Sequence, residues 1–147
     1  MGIVVCILML LVCGLAAAAD KGTPDEAKSL LKKAIALYKE AGKDKAFAEF
    51  SNPTGAFVSK DLYIFVIDLQ GICVAHGQNK ALVGKSVITL TDSTGKLFIK
   101  DLVDAAKVKK SGWSDYKWSN KVTKKIEQKS TYFEKEGNFI FGCGIYK

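Results

Sequence analysis

Between Thr23 and Gly42 the apolar residues Ala27, Leu30, Leu31, Ala34, Leu37, Tyr38 and Ala41 recur at three- and four-residue spacing. Lys28, Lys32, Lys33, Lys39 and Glu40 fill the intervening positions. That period predicts an amphipathic helix. Thr23 can cap it, Pro24 suits its first position, Glu26 completes a capping box, and Gly42 suits its stop. A second short helical piece, Lys43 to Phe50, runs up to Asn52-Pro53. The period then changes. Leu62 to Ile67 is a β-branched and aromatic run, Asp68-Leu69-Gln70-Gly71 is a turn, and Ile72 to His76 returns, which predicts a β-hairpin over 62–76. Residues 77–97 carry turn signals at Gly77 and at Asp92-Ser93-Thr94-Gly95 but no sustained period. Phe98, Ile99, Leu102, Val103 and Ala106 restore helical spacing over Leu97 to Val108. Gly112 opens a last section with strands at Trp113–Ser119, Lys125–Lys135 and Phe139–Tyr146, and turns at Asn120 and Glu136-Gly137-Asn138. Hairpins alternate with helices and no βαβ rhythm repeats, so the fold class is α+β with a mainly antiparallel sheet.

The chain begins differently. Ile3 to Leu15 is a nearly unbroken apolar run, Ala16 to Ala19 follow, and Asp20 is the first charged residue. An apolar core ending in Ala17-Ala18-Ala19 is the layout of a secretory signal peptide, so residues 1–19 are read as a leader cut before Asp20. The segment lacks the usual basic start. The other reading is an uncleaved membrane anchor, since about 20 apolar residues span a bilayer. Cleavage leaves one domain over 20–147, periplasmic or secreted, with Cys73 and Cys143 as its cysteines.

Composition narrows the function. A chain of 147 residues with 48% hydrophobic and 25% charged residues is a folded single domain. There are 22 basic and 15 acidic residues, and every basic one is Lys. Arg is the fork-shaped reader of guanine edges and phosphates, so its absence argues against a nucleic-acid reader. The lysines are spread along the chain, as on a solvated surface. One His and four Cys cannot readily assemble a zinc or haem site. Gly84-Lys85-Ser86 lacks the earlier glycine that a phosphate-binding loop needs. No G-x-S-x-G nucleophile elbow exists, so an enzyme using His76 as base has no evident nucleophile. His76 either bonds a neighbour at a strand end or donates to a ligand. Tyr116 and Trp118 alternate and share one strand face, finishing a core or lining a pocket. Lys129, between Gln128 and Ser130, either faces solvent, as most strand lysines do, or, if on the concave side of the sheet near such rings, anchors a small anion.

The stretch Asp61 to Gly71, followed by Val74-Ala75-His76-Gly77, resembles the first hairpin of single Cache domains. So do Leu82 to Lys85, Asp92 with Gly95-Lys96, and the Phe98–Val103 helix. Gly112 to Trp118, Lys129 to Tyr132 and Gly142 to Tyr146 resemble the family's last three strands. The resemblance covers roughly residues 25–147. It implies a PAS-like extracytoplasmic sensor, with a long N-terminal helix on a five-stranded antiparallel sheet in order 2-1-5-4-3. It implies a ligand cavity drawing on Phe65, His76, Phe98, Trp113, Tyr116, Trp118, Lys129 and Tyr132. Small organic acids are common ligands of the family, and Lys129 is the expected carboxylate contact. No cofactor is implied.

Three expectations follow. Strict alternation puts Lys129 and Tyr132 on opposite faces, so both line one pocket only if a bulge intervenes. Cys73 and Cys143 fall on strands separated by a third. At about 4.8 Å per strand their Cα atoms lie beyond the roughly 7 Å a disulfide spans, so both should be reduced. The chain stops at Lys147 without an output module. The expected function is therefore a stand-alone, exported module that binds a small anionic metabolite and signals through a membrane receptor or kinase. A homodimer, if formed, would use the N-terminal helix. The competing reading is an interaction or structural protein whose cavity is filled by side chains.

Overall fold

The computed structural model describes residues 20–147, so the leader reading of 1–19 lies outside the described residues. Helix α1 is Pro24–Ala41. Its capping box forms: Glu26 N–H donates to Thr23 Oγ1 at 3.2 Å and Thr23 N–H to Glu26 Oε2 at 2.8 Å. Gly42 ends the helix at φ +84°, where a Cβ would be strained. Helix α2, Lys43–Phe50, follows at once.

The strands are β1 Val58–Ser59, β2 Leu62–Asp68, β3 Cys73–His76, β4 Ser111–Asn120, β5 Lys125–Glu136 and β6 Phe139–Tyr146, with helix α3 at Phe98–Val108. All pairings are antiparallel, and the long strands run β3-β2-β6-β5-β4 across the sheet. The α+β architecture expected from the sequence is present. In detail the sheet has six strands, because the two-residue β1 also pairs with β2. The turn between β2 and β3 is set by Asp68, whose Oδ1 accepts from the amides of Gln70 and Ile72 at 2.9 Å each, and by Gly71 at φ +83°.

Strand β2 is central and buried on both faces from Leu62 to Ile67, which explains its unbroken apolar run. Ile64 and Val66 face α1 and α2, in a core with Leu31, Phe50, Phe141 and Cys143. Tyr63, Phe65 and Ile67 face α3 and the 77–97 loop, in a second core with Phe98, Leu102, Phe133 and Ile140. Each buried Leu, Ile or Phe contributes about 1.5–3 kcal/mol, so both layers are needed to hold the sheet. Cys73 and Cys143 are buried and unbonded, in the cores on opposite faces.

Candidate ligand-binding site

The α3 side of the sheet holds a partly open cavity with a free volume of about 30 Å³. Its walls come from elements far apart in sequence. Strand β2 supplies Tyr63 and Phe65, β3 supplies His76, α3 supplies Phe98, and β4 supplies Tyr116 and Trp118. The Phe98 and Tyr116 rings stack at 4.3 Å, and Trp118 closes on Phe98 at 5.0 Å. The 77–97 loop covers the cavity with Leu82, Val87 and Leu90. Backbone bonds fix that loop to β3 and the preceding turn: Cys73 N–H to Lys85 O at 2.9 Å, Gly84 N–H to Cys73 O at 2.7 Å and Val87 N–H to Gly71 O at 2.8 Å. Asp92 anchors its far end. Its Oδ1 accepts from Thr94 Oγ1 at 2.6 Å, and its Oδ2 accepts from the Lys117 amide of β4 at 3.0 Å. These bonds, that from the Thr94 side chain foremost, hold the Asp92 carboxyl well below the usual range.

His76 bonds its neighbours at the strand end, the first of the two roles expected of it, and its ring also lines the cavity. Its Nδ1 accepts from the amides of Gln78 at 3.2 Å and Asn79 at 2.9 Å. An accepting Nδ1 places the proton of the neutral ring on Nε2, leaving Nε2–H as the donor available to the cavity. Burial, with the Lys129 charge nearby, lowers the imidazole from 6.5 to about 3, so it is neutral at physiological pH.

Lys129 is fully buried, at 0% exposure. Its Nζ donates to Tyr63 Oη at 2.7 Å and to Tyr146 Oη at 3.4 Å, and lies 4.1 Å and 4.8 Å from the two ring centroids. Among the described residues no carboxylate pairs with it at salt-bridge distance. Burial pulls the ammonium from 10.5 down to about 7. Because Lys129 donates to Tyr63 Oη, the Tyr63 hydroxyl proton is free to donate elsewhere. Tyr63 itself lines the cavity, so Lys129 stands directly behind the wall. Gly144, opposite Thr131 on β6, makes this possible: a Cβ there would collide with Lys129 Cε.

The sheet register sorts the expected site residues. The structure brings together Phe65, His76, Phe98, Tyr116 and Trp118 around the cavity, with Lys129 behind it. Trp113 and Tyr132 are corrected. The β4–β5 and β5–β6 pairings run without a register shift through Lys129 and Tyr132, so no bulge brings Tyr132 round. Tyr132 packs with the α1 core instead, paired with Trp113, and Lys28 of α1 lies over both rings at 5.4 Å and 5.8 Å. Tyr63 was missed from the sequence, although alternation with Phe65 places it on the same face. Leu82, Val87 and Leu90 carried no such signal, because irregular backbone has no period.

The family model of single Cache domain 2 matches residues 5–146. The chain belongs to the single Cache domain 2 family. A sensor histidine kinase of Rhizobium johnstonii, MctS, is 29% identical over 115 residues, covering 75% of this chain and 25% of the kinase. The Cache chain thus spans about a quarter of that relative's length. A methyl-accepting chemotaxis protein from Vibrio parahaemolyticus superposes with TM-score 0.71 at 26% identity, over 83% of this chain and 86% of that one. A Cache chemosensory domain described for carboxylic acid recognition shares the fold, with TM-score 0.66 at 24% identity over 83% and 86% of the two chains. Cache domains are extracytoplasmic sensor domains of receptors and kinases, and this chain has their fold.

Proposed function

We propose that this Cache domain binds a small carboxylate in the α3-side cavity and passes its bound state to a membrane receptor or kinase. One observation carries the reading: a buried lysine with no carboxylate partner among the described residues, behind a cavity whose polar groups are donors. An ionised group held this way invites a counter-ion, because burying an unpaired charge is costly. Tyr63 O–H and His76 Nε2–H supply the directional bonds, and Lys129 supplies the charge. Phe65, Phe98, Tyr116 and Trp118 accept a short apolar tail. Lys129 acts as a point charge behind the wall, without the bidentate grip of Arg, so the cavity walls set selectivity. Carboxylic acid recognition by a structural neighbour of the same fold supports this ligand class.

The free volume, about 30 Å³, has room for only about two waters, since one needs about 10–15 Å³ of such space. A carboxylate of several atoms needs more room than this, which an outward shift of the 77–97 loop would open. Residues 1–19 act as the export signal, cut before Asp20, and the mature domain works outside the cytoplasm.

The test is a thermal-shift screen of residues 20–147 against short carboxylates, amino acids and amines, with Lys129→Met beside it. A ligand at about 100 times its Kd adds about 2.7 kcal/mol of stability. A shift confined to acids and abolished in Lys129→Met supports the proposal. The small cavity favours one other reading, an interaction protein with no ligand. Absence of a shift from every compound would point there. Mass spectrometry of the native amino terminus tests the leader.

A further inference from the structure

The turn joining β4 to β5 carries features that the ligand site does not use. Val122 is 47% exposed and Ile126 62% exposed, and neither belongs to either core. Lys121, Lys124 and Lys125 stand exposed among them. The turn is built, not loose. Asn120 is 1% exposed, and its Oδ1 accepts from the Val122 amide at 2.9 Å. The Lys124 amide donates to Asn120 O at 2.8 Å, with Lys124 at φ +62°. Glu127, the nearest carboxylate, is engaged inside the turn. It accepts from Asn120 Nδ2 at 3.2 Å and from Thr123 Oγ1 at 2.9 Å. The tip therefore presents two branched aliphatics and three lysines that pair with no carboxylate among the described residues.

Its place in the fold gives this surface a partner. The Lys147 amide donates to Gln128 O at 2.9 Å, and Tyr146 Oη donates to Ser119 O at 2.8 Å, so the end of β6 lies beside the base of the turn. Lys21 Nζ donates to the Lys147 carbonyl at 3.4 Å. Asp20, beside Lys21 and within 3.7 Å of Lys60 Nζ, is thus at the same end of the sheet. Exposed Lys21, Lys60 and Lys147 share that end. Three acids there face lysines: Asp20 and Glu26 pair with Lys60, and Asp115 with Lys147, while Asp61 is buried and accepts from the Gly22 amide.

We propose that the β4–β5 turn docks on an anionic lipid bilayer, with Lys121, Lys124 and Lys125 on lipid phosphates and Val122 and Ile126 in the headgroup–acyl boundary. Basic residues beside exposed aliphatics combine the two attractions that hold a peripheral segment at an anionic surface. Docking there fixes the domain's orientation to the membrane and leaves the cavity, walled by the sheet face and α3, facing the aqueous side. This inference does not rest on the carboxylate reading.

The experiment is amide hydrogen exchange on the full chain, with vesicles of equal parts phosphatidylglycerol and phosphatidylcholine, and with pure phosphatidylcholine. The proposal expects slowed exchange over 120–127 with the anionic vesicles alone, reversed by high salt. Lys121→Gln/Lys125→Gln should weaken partitioning by about fivefold per lysine without changing the melting temperature. Val122→Ser/Ile126→Ser should remove the protection. Unchanged exchange over 120–127 overturns the proposal, even if the chain reaches vesicles through residues 1–19. Equal protection with both vesicle types also overturns it, as does protection without lipid, which would assign the turn to a second copy of the chain.

Discussion

Lys129→Met tests the buried lysine without any ligand. Methionine has nearly the same length and reach and fills the same channel without charge. In the folded protein the ammonium is lowered from 10.5 to about 7, chiefly by burial. At about 1.4 kcal/mol per unit, holding the charged form inside costs about 5 kcal/mol below pH 7. The sign follows from proton binding. Between pH 7 and 10.5 the unfolded chain holds the Lys129 proton and the folded chain has released it, so stability rises with pH through that window. From pH 7 to 9 the rise is about 2 kcal/mol. At pH 7 the substitution also loses the bonds to Tyr63 and Tyr146, and an unpaired buried hydroxyl costs about 1–3 kcal/mol. Wild type and variant should therefore differ little at pH 7, the variant being equal or somewhat more stable. By pH 9 wild type should have gained about 2 kcal/mol relative to the variant. The thiols of Cys73 and Cys143, raised by burial to about 11 and about 12, oppose this only near and above pH 9 and are common to both proteins. The assay is urea unfolding followed by the fluorescence of Trp113 and Trp118 at pH 7, 8 and 9. Parallel stability curves for the two proteins would refute the argument, because Lys129 would then titrate like an exposed lysine.

Other outcomes follow from the same geometry. A carboxylate that keeps Lys129 protonated should bind up to about tenfold more weakly per pH unit above 7, measured by calorimetry, with the dependence lost in Lys129→Met. Gly144→Ala should displace the Lys129 stem and lower the melting temperature, and it should weaken carboxylate binding at least as much as Tyr63→Phe. Tyr132→Ala should leave carboxylate affinity within about twofold, because its ring lies across the sheet from the cavity; a loss like that of Tyr63→Phe would overturn the register argument. Cys73 and Cys143 should react slowly with thiol reagents until the protein unfolds, and mass spectrometry should find no disulfide between them.

Local rules in the sequence determined the elements and the fold class. The capping box at Thr23 and Glu26, the stop at Gly42, the Asp68–Gly71 turn and the change of apolar period each act over a few residues, so each was legible without tertiary information. Alternation also separated Lys129 from Tyr132, since successive residues of one strand must point to opposite faces. What alternation could not say was which face held a cavity, because both are apolar and both are covered. The tertiary structure decided that by placing α1 and α2 on one side of β2 and α3 with the 77–97 loop on the other. It also decided the placement of Lys129. By sequence, a lysine between Gln128 and Ser130 belongs in solvent. It is buried because Gly144, on the neighbouring strand, has no side chain, and because Tyr63 and Tyr146 converge on its ammonium from two other strands. Those are meetings of residues far apart in sequence, fixed by strand register, and no local pattern encodes them.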